Sequence, residues 1–436
     1  MSGTRNIDLW SATSMVVANM VGTGVFTSLG YQLFDTNTGF ALLMIWFAGG
    51  LIALTGAFCY AEIAGRLSKD GGEFHFLSET FHPALGYMAG FVSTTVGFAA
   101  PVAGAALALG AYLQGVLAGL NGIGVGIGVI LGISVLHAKS LAIGLLFQRV
   151  STLAKVLLMG FFIVSGVMIG NVTSIDFTPN TAAIAEIFDG FWFKASFSVS
   201  LVWVSFAYSG WNAAAYIAGS IENPQRNLSR SILMGTLVVM VLYGALNWVF
   251  LSSTPIDLMR GKKEVGLIAA QHIWGQNWGK LMGGLISILL ISTISSMIFT
   301  GPRVLKTMLE KVPPMRFWAT LSGRQIPARA IWLQALLSIV LLHVMDFESL
   351  IYYVAFTLSL FTFLTVLGLF RLRIRDGKPE GYAAWGYPIT PLIFLIMTAS
   401  VCVFFVQMKP FESLMGLATG FVGLVFWLMS RSQQSI

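Results

Sequence analysis

Val21-Gly22-Thr23-Gly24-Val25 sits at the middle of residues 9–34, a run without one charged side chain. A bilayer-crossing helix takes about 20 mostly apolar residues, so the run is long enough to be one. Its centre is weak, because each glycine destabilises helix by about 1 kcal/mol relative to alanine. A matching place, Ala207-Tyr208-Ser209-Gly210-Trp211-Asn212, lies inside the charge-free run 195–221. Small residues of this kind also let helices pack closely in membranes. The expectation here is different: two spanning helices, each broken near mid-depth.

The composition agrees with a membrane setting. Of 436 residues 56% are apolar and only 10% charged, with a mean hydropathy of +0.81. Soluble chains carry roughly 25% charged residues, so this one lacks the side chains to cover a water-facing surface. Cys59 and Cys402 both lie in apolar runs, which excludes a disulfide framework or a cysteine-held metal. No cleavable leader, metal site or cofactor is expected.

Further charge-free runs cover 36–61, 80–138, 231–256, 281–302, 349–370, 381–408 and 413–430. The run 80–138 is too long for one helix and divides at Gln114 to Asn121. Residues 149–171, which contain Lys155, and the short 330–345 complete twelve expected transmembrane helices in an all-α integral membrane protein. With the N-terminus inside, eighteen basic residues fall on the inner face and six on the outer, leaving Lys155 within a span. That bias places both termini in the cytoplasm. It also accounts for the net charge of +7 as an orientation signal, so no nucleic-acid partner is expected. The longest connections, 253–280 and 303–329, are too short for a soluble domain.

The two weak points lie 187 residues apart from Val21 to Tyr208, each in the first helix of a five-span half. Five plus five spans with a broken first helix in each half is the pattern of an inverted-repeat transporter. Half-helix amino ends offer N–H groups to an anionic group, and unwound carbonyls accept from a cation. A zwitterionic amino acid has one of each. The amides of Thr23 and Gly24 with the Thr23 hydroxyl are expected to take its carboxylate. The carbonyls of Met20, Phe206 and Ser209 are expected to take its ammonium. The candidate substrate-binding set is therefore Met20, Val21, Gly22, Thr23, Gly24, Phe206, Ala207, Tyr208, Ser209, Gly210 and Trp211.

Four motifs then carry a family resemblance. Val21 to Ser28 resembles the Gly-Ser/Thr-Gly-Ile/Val-Phe signature of amino-acid permeases of the amino acid–polyamine–organocation superfamily. Cys59-Tyr60-Ala61-Glu62 followed by Asp70-Gly71-Gly72-Glu73-Phe74 is similar to the family's segment between spans 2 and 3. Ser205 to Asn212 is similar to the span-6 motif of the L-type amino-acid transporter branch, here of bacterial type. Glu222-Asn223-Pro224-Gln225-Arg226-Asn227 resembles the family's loop after it. The resemblance implies a LeuT-type core of ten helices in residues 1–370, with inverted repeats over about 9–171 and 195–370. Residues 371–436 would hold accessory helices 11 and 12. It implies amino-acid transport by alternating access in the cytoplasmic membrane. Animal L-type chains carry a cysteine after span 3 that bonds a heavy chain. Gln114 to Asn121 has none, so no disulfide-linked heavy chain is expected.

Lys155 is the one ionisable residue expected well inside a span. An ionised lysine at the bilayer centre costs about 2.5–3.5 kcal/mol even on the lenient insertion scale. It could snorkel past Arg149 to the surface, but six residues of helix is ~9 Å. The resemblance implies another role, as the ammonium that stands where sodium-coupled relatives hold a sodium ion. It would then bridge the first break to span 8, with Ser292, Thr293, Ser295 and Ser296 as hydroxyl partners. Lys155, Ser295 and Ser296 are the expected coupling residues. Sodium independence follows, with exchange or proton symport left open. Asn19 is a further pocket candidate, Tyr352 and Tyr353 outer-gate candidates, and Glu62 a gate or a salt bridge with Arg66.

No acid–base cluster marks a membrane enzyme, and no repeated charged ring marks a channel filter. A polyamine or organic-cation carrier is the alternative within transporters. Such a ligand has no carboxylate for the Thr23–Gly24 amides. Spans 1, 3, 6 and 8 hold no acid to receive its cations, which favours neutral L-amino acids. Partners are then the amino acid, membrane lipid and, in the case of symport, protons.

Overall fold

A computed structural model describes residues 7–169, 175–188, 195–321 and 326–431. Lys194, counted above on the outer face, and the last two residues of run 149–171 lie outside them. The described chain is helical, with one isolated bridge between Ile7 and Ile221. In chain order the helices are α1 (Leu9–Met20), α2 (Gly24–Gln32), α3 (Gly39–Arg66), α4 (Glu73–Thr80), α5 (Pro83–Val116) and α6 (Gly122–Lys139). Then come α7 (Leu141–Ile169), α8 (Thr181–Ile187), α9 (Ala195–Tyr208), α10 (Pro224–Ser253), α11 (Ile256–Met259) and α12 (Val265–Leu309). The remainder are α13 (Arg316–Ala319), α14 (Ala328–Val344), α15 (Phe347–Asp376), α16 (Ile389–Met408) and α17 (Pro410–Arg431).

Ten helices among the described residues are long and apolar enough to cross a membrane, counting α1 and α2 as one. Two expected spans fall short of that measure. The helix α14 has 17 residues, and α9 stops at Tyr208 before a 3₁₀ stretch over Ala213–Ser220.

The exposed faces show what surrounds the molecule. Along α7, Leu146, Val150, Leu153, Leu157, Phe161, Val164 and Met168 are exposed at steps of three and four. Its opposite face buries Gln148, Thr152 and Lys155. A helix in water would do the reverse. An apolar outer stripe over a polar inner one requires lipid outside, and this is a multi-pass membrane protein.

Local signals set several boundaries. Asp8, Thr38, Asn121 and Asp346 precede α1, α3, α6 and α15, each accepting from a first-turn amide. The division expected between Gln114 and Asn121 is present, since α5 ends at Val116 and α6 starts at Gly122. The stretch 253–280 differs from its reading as a plain connection. It holds α11 and the start of α12, which bends at Gly275 (φ 79°). Seven residues of α5, Ser93–Ala99, form a π-helical turn.

The interior is built around the broken pieces. The long α10 packs along α3 and α1, and α12 packs along α5 and α7. Tyr208, Trp46 and Tyr243 meet ring to ring where α9, α3 and α10 converge.

Candidate functional site

Helix α1 ends at Met20, Val21 leaves helical geometry (φ −73°, ψ 89°), and α2 starts again at Gly24. Helix α9 ends at Tyr208. Gly210 turns the chain at φ 94°, a value that favours glycine, and a β-carbon there would meet the Asn19 carbonyl at 2.9 Å. The two breaks therefore touch. A β-carbon on Gly24 would lie 2.4 Å from the Ala207 Cα, so backbone packs on backbone. Tyr243 of α10 ties them further, its hydroxyl donating to the carbonyls of Met20 (2.6 Å) and Ala207 (3.1 Å).

A cavity opens beside this junction. Asn19, Ser205, Phe206, Tyr208, Ser209, Gly210, Trp211, Asn212 and Tyr216 line one side. Phe98 of the π-turn, Met297 of α12 and Val354, Ala355, Leu358, Ser359 and Thr362 of α15 line much of the rest. No charged side chain lines it among the described residues. Asn19 is 3% exposed, and its Oδ1 has no hydrogen-bond partner among the described residues, while its Nδ2 donates to the Met15 carbonyl. A buried acceptor left open on a cavity wall suits a donor brought by a ligand.

Of the residues read from the sequence, Phe206, Tyr208, Ser209, Gly210 and Trp211 stand on this cavity. Met20, Val21, Gly22, Thr23, Gly24 and Ala207 do not line it. They are packed into the junction behind Asn19, Gly24 against Ala207 and Gly22 against Thr293. The Met20 carbonyl holds the Tyr243 hydroxyl, and the Phe206 carbonyl accepts from the Ser209 amide at 3.0 Å.

Lys155 is fully buried and does not snorkel. Its Nζ donates to the carbonyls of Val21 (2.5 Å) and Ala18 (3.3 Å) and to Thr293 Oγ1 (3.0 Å). Three acceptors match the three N–H bonds of an ammonium. Thr293 also donates to the Val21 carbonyl at 3.0 Å, and Ser296 to the Ala18 carbonyl at 3.4 Å. Ser295 is not in this group. Residues three apart share a helix face, so Thr293 and Ser296 turn toward the break while Ser292 and Ser295 turn away. Ser295 Oγ lies 2.7 Å from His137 Nε2, and Ser292 donates to Ser151 at 3.0 Å.

A second buried charge went unnoticed in the sequence. Glu73, at the start of α4, is 1% exposed. Tyr60 (2.7 Å) and Asn212 (3.0 Å) donate to its Oε1, and Ser93 (3.0 Å) and Tyr216 (2.8 Å) to its Oε2. Burial pushes this carboxyl above its ordinary range, and the four donors pull the other way. Burial likewise raises Asp70 against the pull of the Gly219 N–H. Tyr243 was also missed, since one tyrosine in an apolar run carries no signal until its neighbours are known.

Glu62 makes the salt bridge expected with Arg66 (2.8 Å), and also pairs with Arg373 (2.6 Å) and accepts from the Ala384 N–H (2.7 Å). Tyr353 lies 2.7 Å from Thr419, and Tyr352 packs on Trp203. Neither lines the cavity.

A cavity beside two touching helix breaks, inside a multi-pass membrane protein, belongs to a transporter and not to an enzyme. The chain belongs to the amino acid permease family, whose model, described as "Amino acid permease", matches residues 7–427. It is similar to the human (Homo sapiens) b(0,+)-type amino acid transporter 1, at 26% identity over 92% of this chain and 82% of that one. It is 25% identical to the serine/threonine exchanger SteT of Bacillus subtilis, over 89% of this chain and 88% of that one. The rabbit (Oryctolagus cuniculus) large neutral amino acids transporter small subunit 2 matches at 25% identity, over 98% of this chain and 80% of its own length.

Proposed function

We propose that this protein exchanges neutral L-amino acids across the cytoplasmic membrane without sodium. The observation that carries this reading is the Lys155 ammonium on the Ala18 and Val21 carbonyls and Thr293. A fixed cation there does the electrostatic work that a bound sodium ion would do. The similarity to a serine/threonine exchanger favours exchange over proton symport. The uncharged cavity wall favours a neutral side chain, because a lone charge there would go uncompensated.

The architecture in this reading is twelve spans with both termini cytoplasmic. The ten long helices are joined by α14 and by the interrupted stretch 195–220. Residues 1–370 form a LeuT-type core of two inverted five-span repeats, and 371–436 add two accessory helices. The substrate carboxylate goes to the amino end of α2 at Thr23 and Gly24, and the ammonium to unwound carbonyls and to Asn19 Oδ1. That end of α2 is packed against α9 here, so reaching it requires the breaks to part, which is the alternating-access movement.

The test is uptake and counterflow in proteoliposomes with a panel of radiolabelled amino acids at set sodium and proton gradients. The expected result is counterflow of neutral amino acids, unchanged within twofold when choline or potassium replaces sodium. A strict sodium requirement, or transport of polyamines without amino acids, overturns the reading.

A further inference from the structure

Glu73 lies in a connecting helix and does not line the cavity, yet its carboxylate holds two residues that do. Two of its four donors, Asn212 and Tyr216, line the cavity, and the other two, Tyr60 of α3 and Ser93 of the π-turn, do not. Two donors reach each oxygen, which fills the acceptor capacity of an ionised carboxylate. No ion pair involves Glu73 among the described residues. Its titratable neighbours are Tyr60 and Tyr216, and its other donors are neutral.

The surrounding backbone holds the same pair of segments together. The Gly71 N–H donates to the Tyr216 carbonyl (3.0 Å), and the Gly219 N–H to Asp70 (2.8 Å). Gly72 has φ 52°, and a β-carbon on it would meet the Tyr216 ring at 2.2 Å. The loop before α4 is thus fitted to the stretch just after the second break.

Glu73 also decides which atom Asn212 offers. One amide nitrogen serves both Glu73 Oε1 (3.0 Å) and the Tyr216 hydroxyl (3.4 Å). The amide oxygen is left turned away from the carboxylate. We infer that Glu73 is a positioning residue for substrate binding: its carboxylate holds Asn212 with the amide oxygen free as an acceptor and sets Tyr216 beside it. The ligand group served is a donor, the ammonium of an amino acid, so the inference rests on the function proposed above. A neutral amide at position 73 reverses the logic. Its NH₂ meets either Asn212, which must then turn its oxygen inward and its nitrogen to the cavity, or the Ser93 and Tyr216 hydroxyls, which must turn to accept, so that Tyr216 directs its hydrogen away from position 73. In both cases a cavity residue loses the orientation that the carboxylate imposes.

The test measures counterflow KM and kcat in proteoliposomes for the wild type, Glu73→Gln, Glu73→Asp and Tyr60→Phe. The Gln variant should raise KM at least tenfold with kcat within threefold of wild type. The Asp variant keeps the charge and should recover at least half of that loss on a logarithmic scale. Tyr60→Phe alters no cavity residue but removes a donor from Oε1, and should raise KM about threefold. If Glu73→Gln yields no folded protein, Tyr60→Phe decides: a wild-type KM overturns the inference. An unchanged KM in Glu73→Gln, or a loss confined to kcat, overturns it too. A wild type that moves no amino acid overturns the proposed function itself, whereas normal wild-type transport beside an unchanged variant sinks only the role of Glu73.

Discussion

Lys155 and Glu73 are two buried charges of opposite sign, and neither has a counter-ion among its hydrogen-bond partners. Lys155 rests on two carbonyls of the first break and a hydroxyl of α12. Glu73 rests on four neutral donors, two of them at or after the second break. Glu62 behaves differently, held between Arg66 and Arg373 at the end of α3. An ion pair out of water is costly to separate, because each half becomes an uncompensated charge. Neutral carbonyls, hydroxyls and amides are weaker partners for a charge, singly about 1.5–3 kcal/mol net, and none of them becomes an uncompensated charge when the bond opens. The contrast teaches that charges at the breaks are held by partners that can let go, and the charge away from them by partners that cannot.

The strongest challenge to this contrast is Gly24→Val. Its β-carbon would overlap the Ala207 backbone at the place where the breaks touch. Overpacking costs about 1–3 kcal/mol where side chains can yield, and here backbone would have to move. Transport should fall below about one hundredth of wild type while the protein still inserts, as measured by uptake per surface-resolved molecule. Near-normal uptake would remove the first break from the substrate path.

Lys155→Ala sharpens the comparison from the other side. Removing the ammonium takes a charged donor from the Ala18 and Val21 carbonyls and from Thr293, leaving the two carbonyls only the Ser296 and Thr293 hydroxyls, a loss of about 1–3 kcal/mol. That corresponds to turnover slowed about 5- to 150-fold, with apparent affinity changed less than threefold. The signature is the inverse of that expected for Glu73. An alanine variant with wild-type turnover would show that the buried lysine is only structural.

The smallest effects come from the hydroxyls of α12. Ser296→Ala removes a hydroxyl shared between the Thr293 carbonyl (2.9 Å) and the Ala18 carbonyl (3.4 Å) and should slow exchange roughly threefold, no more than the worth of one hydrogen bond. Ser295→Ala, whose hydroxyl meets His137, should leave exchange within about twofold. Equal losses in both, by initial-rate counterflow, would mean that the face of α12 does not matter.

Much of the fold was legible because lipid imposes a simple rule on composition. Charge-free runs of about 20 residues announce helices, and glycines at 22, 24 and 210 announced both breaks. The helix in the connection 253–280 went unread because Asp257, Arg260, Lys262, Lys263 and Glu264 crowd its first half, and residues 265–279, charge-free before Lys280, are too few for a span. Half of the cavity wall was legible too, since Phe206 to Trp211 surround a visible weak point. Glu73 was not, although its motif was quoted, because a carboxylate between two spans looks like a solvated loop residue. Nothing local says that it will be buried.

The sequence by itself determined that this is a membrane protein of many helices, that two of them break, and that a lysine lies inside one. Those are properties of composition and local spacing, which need no partner to be read. The tertiary structure decided which atoms meet. It put Lys155 on Ala18, Val21 and Thr293, turned Ser295 toward His137, and drew Glu73 together with Tyr60, Ser93, Asn212 and Tyr216. These contacts join residues up to 158 positions apart along the chain. Hydrogen bonds depend on distances of tenths of an ångström, set only when helices have packed, and no spacing along the chain encodes them.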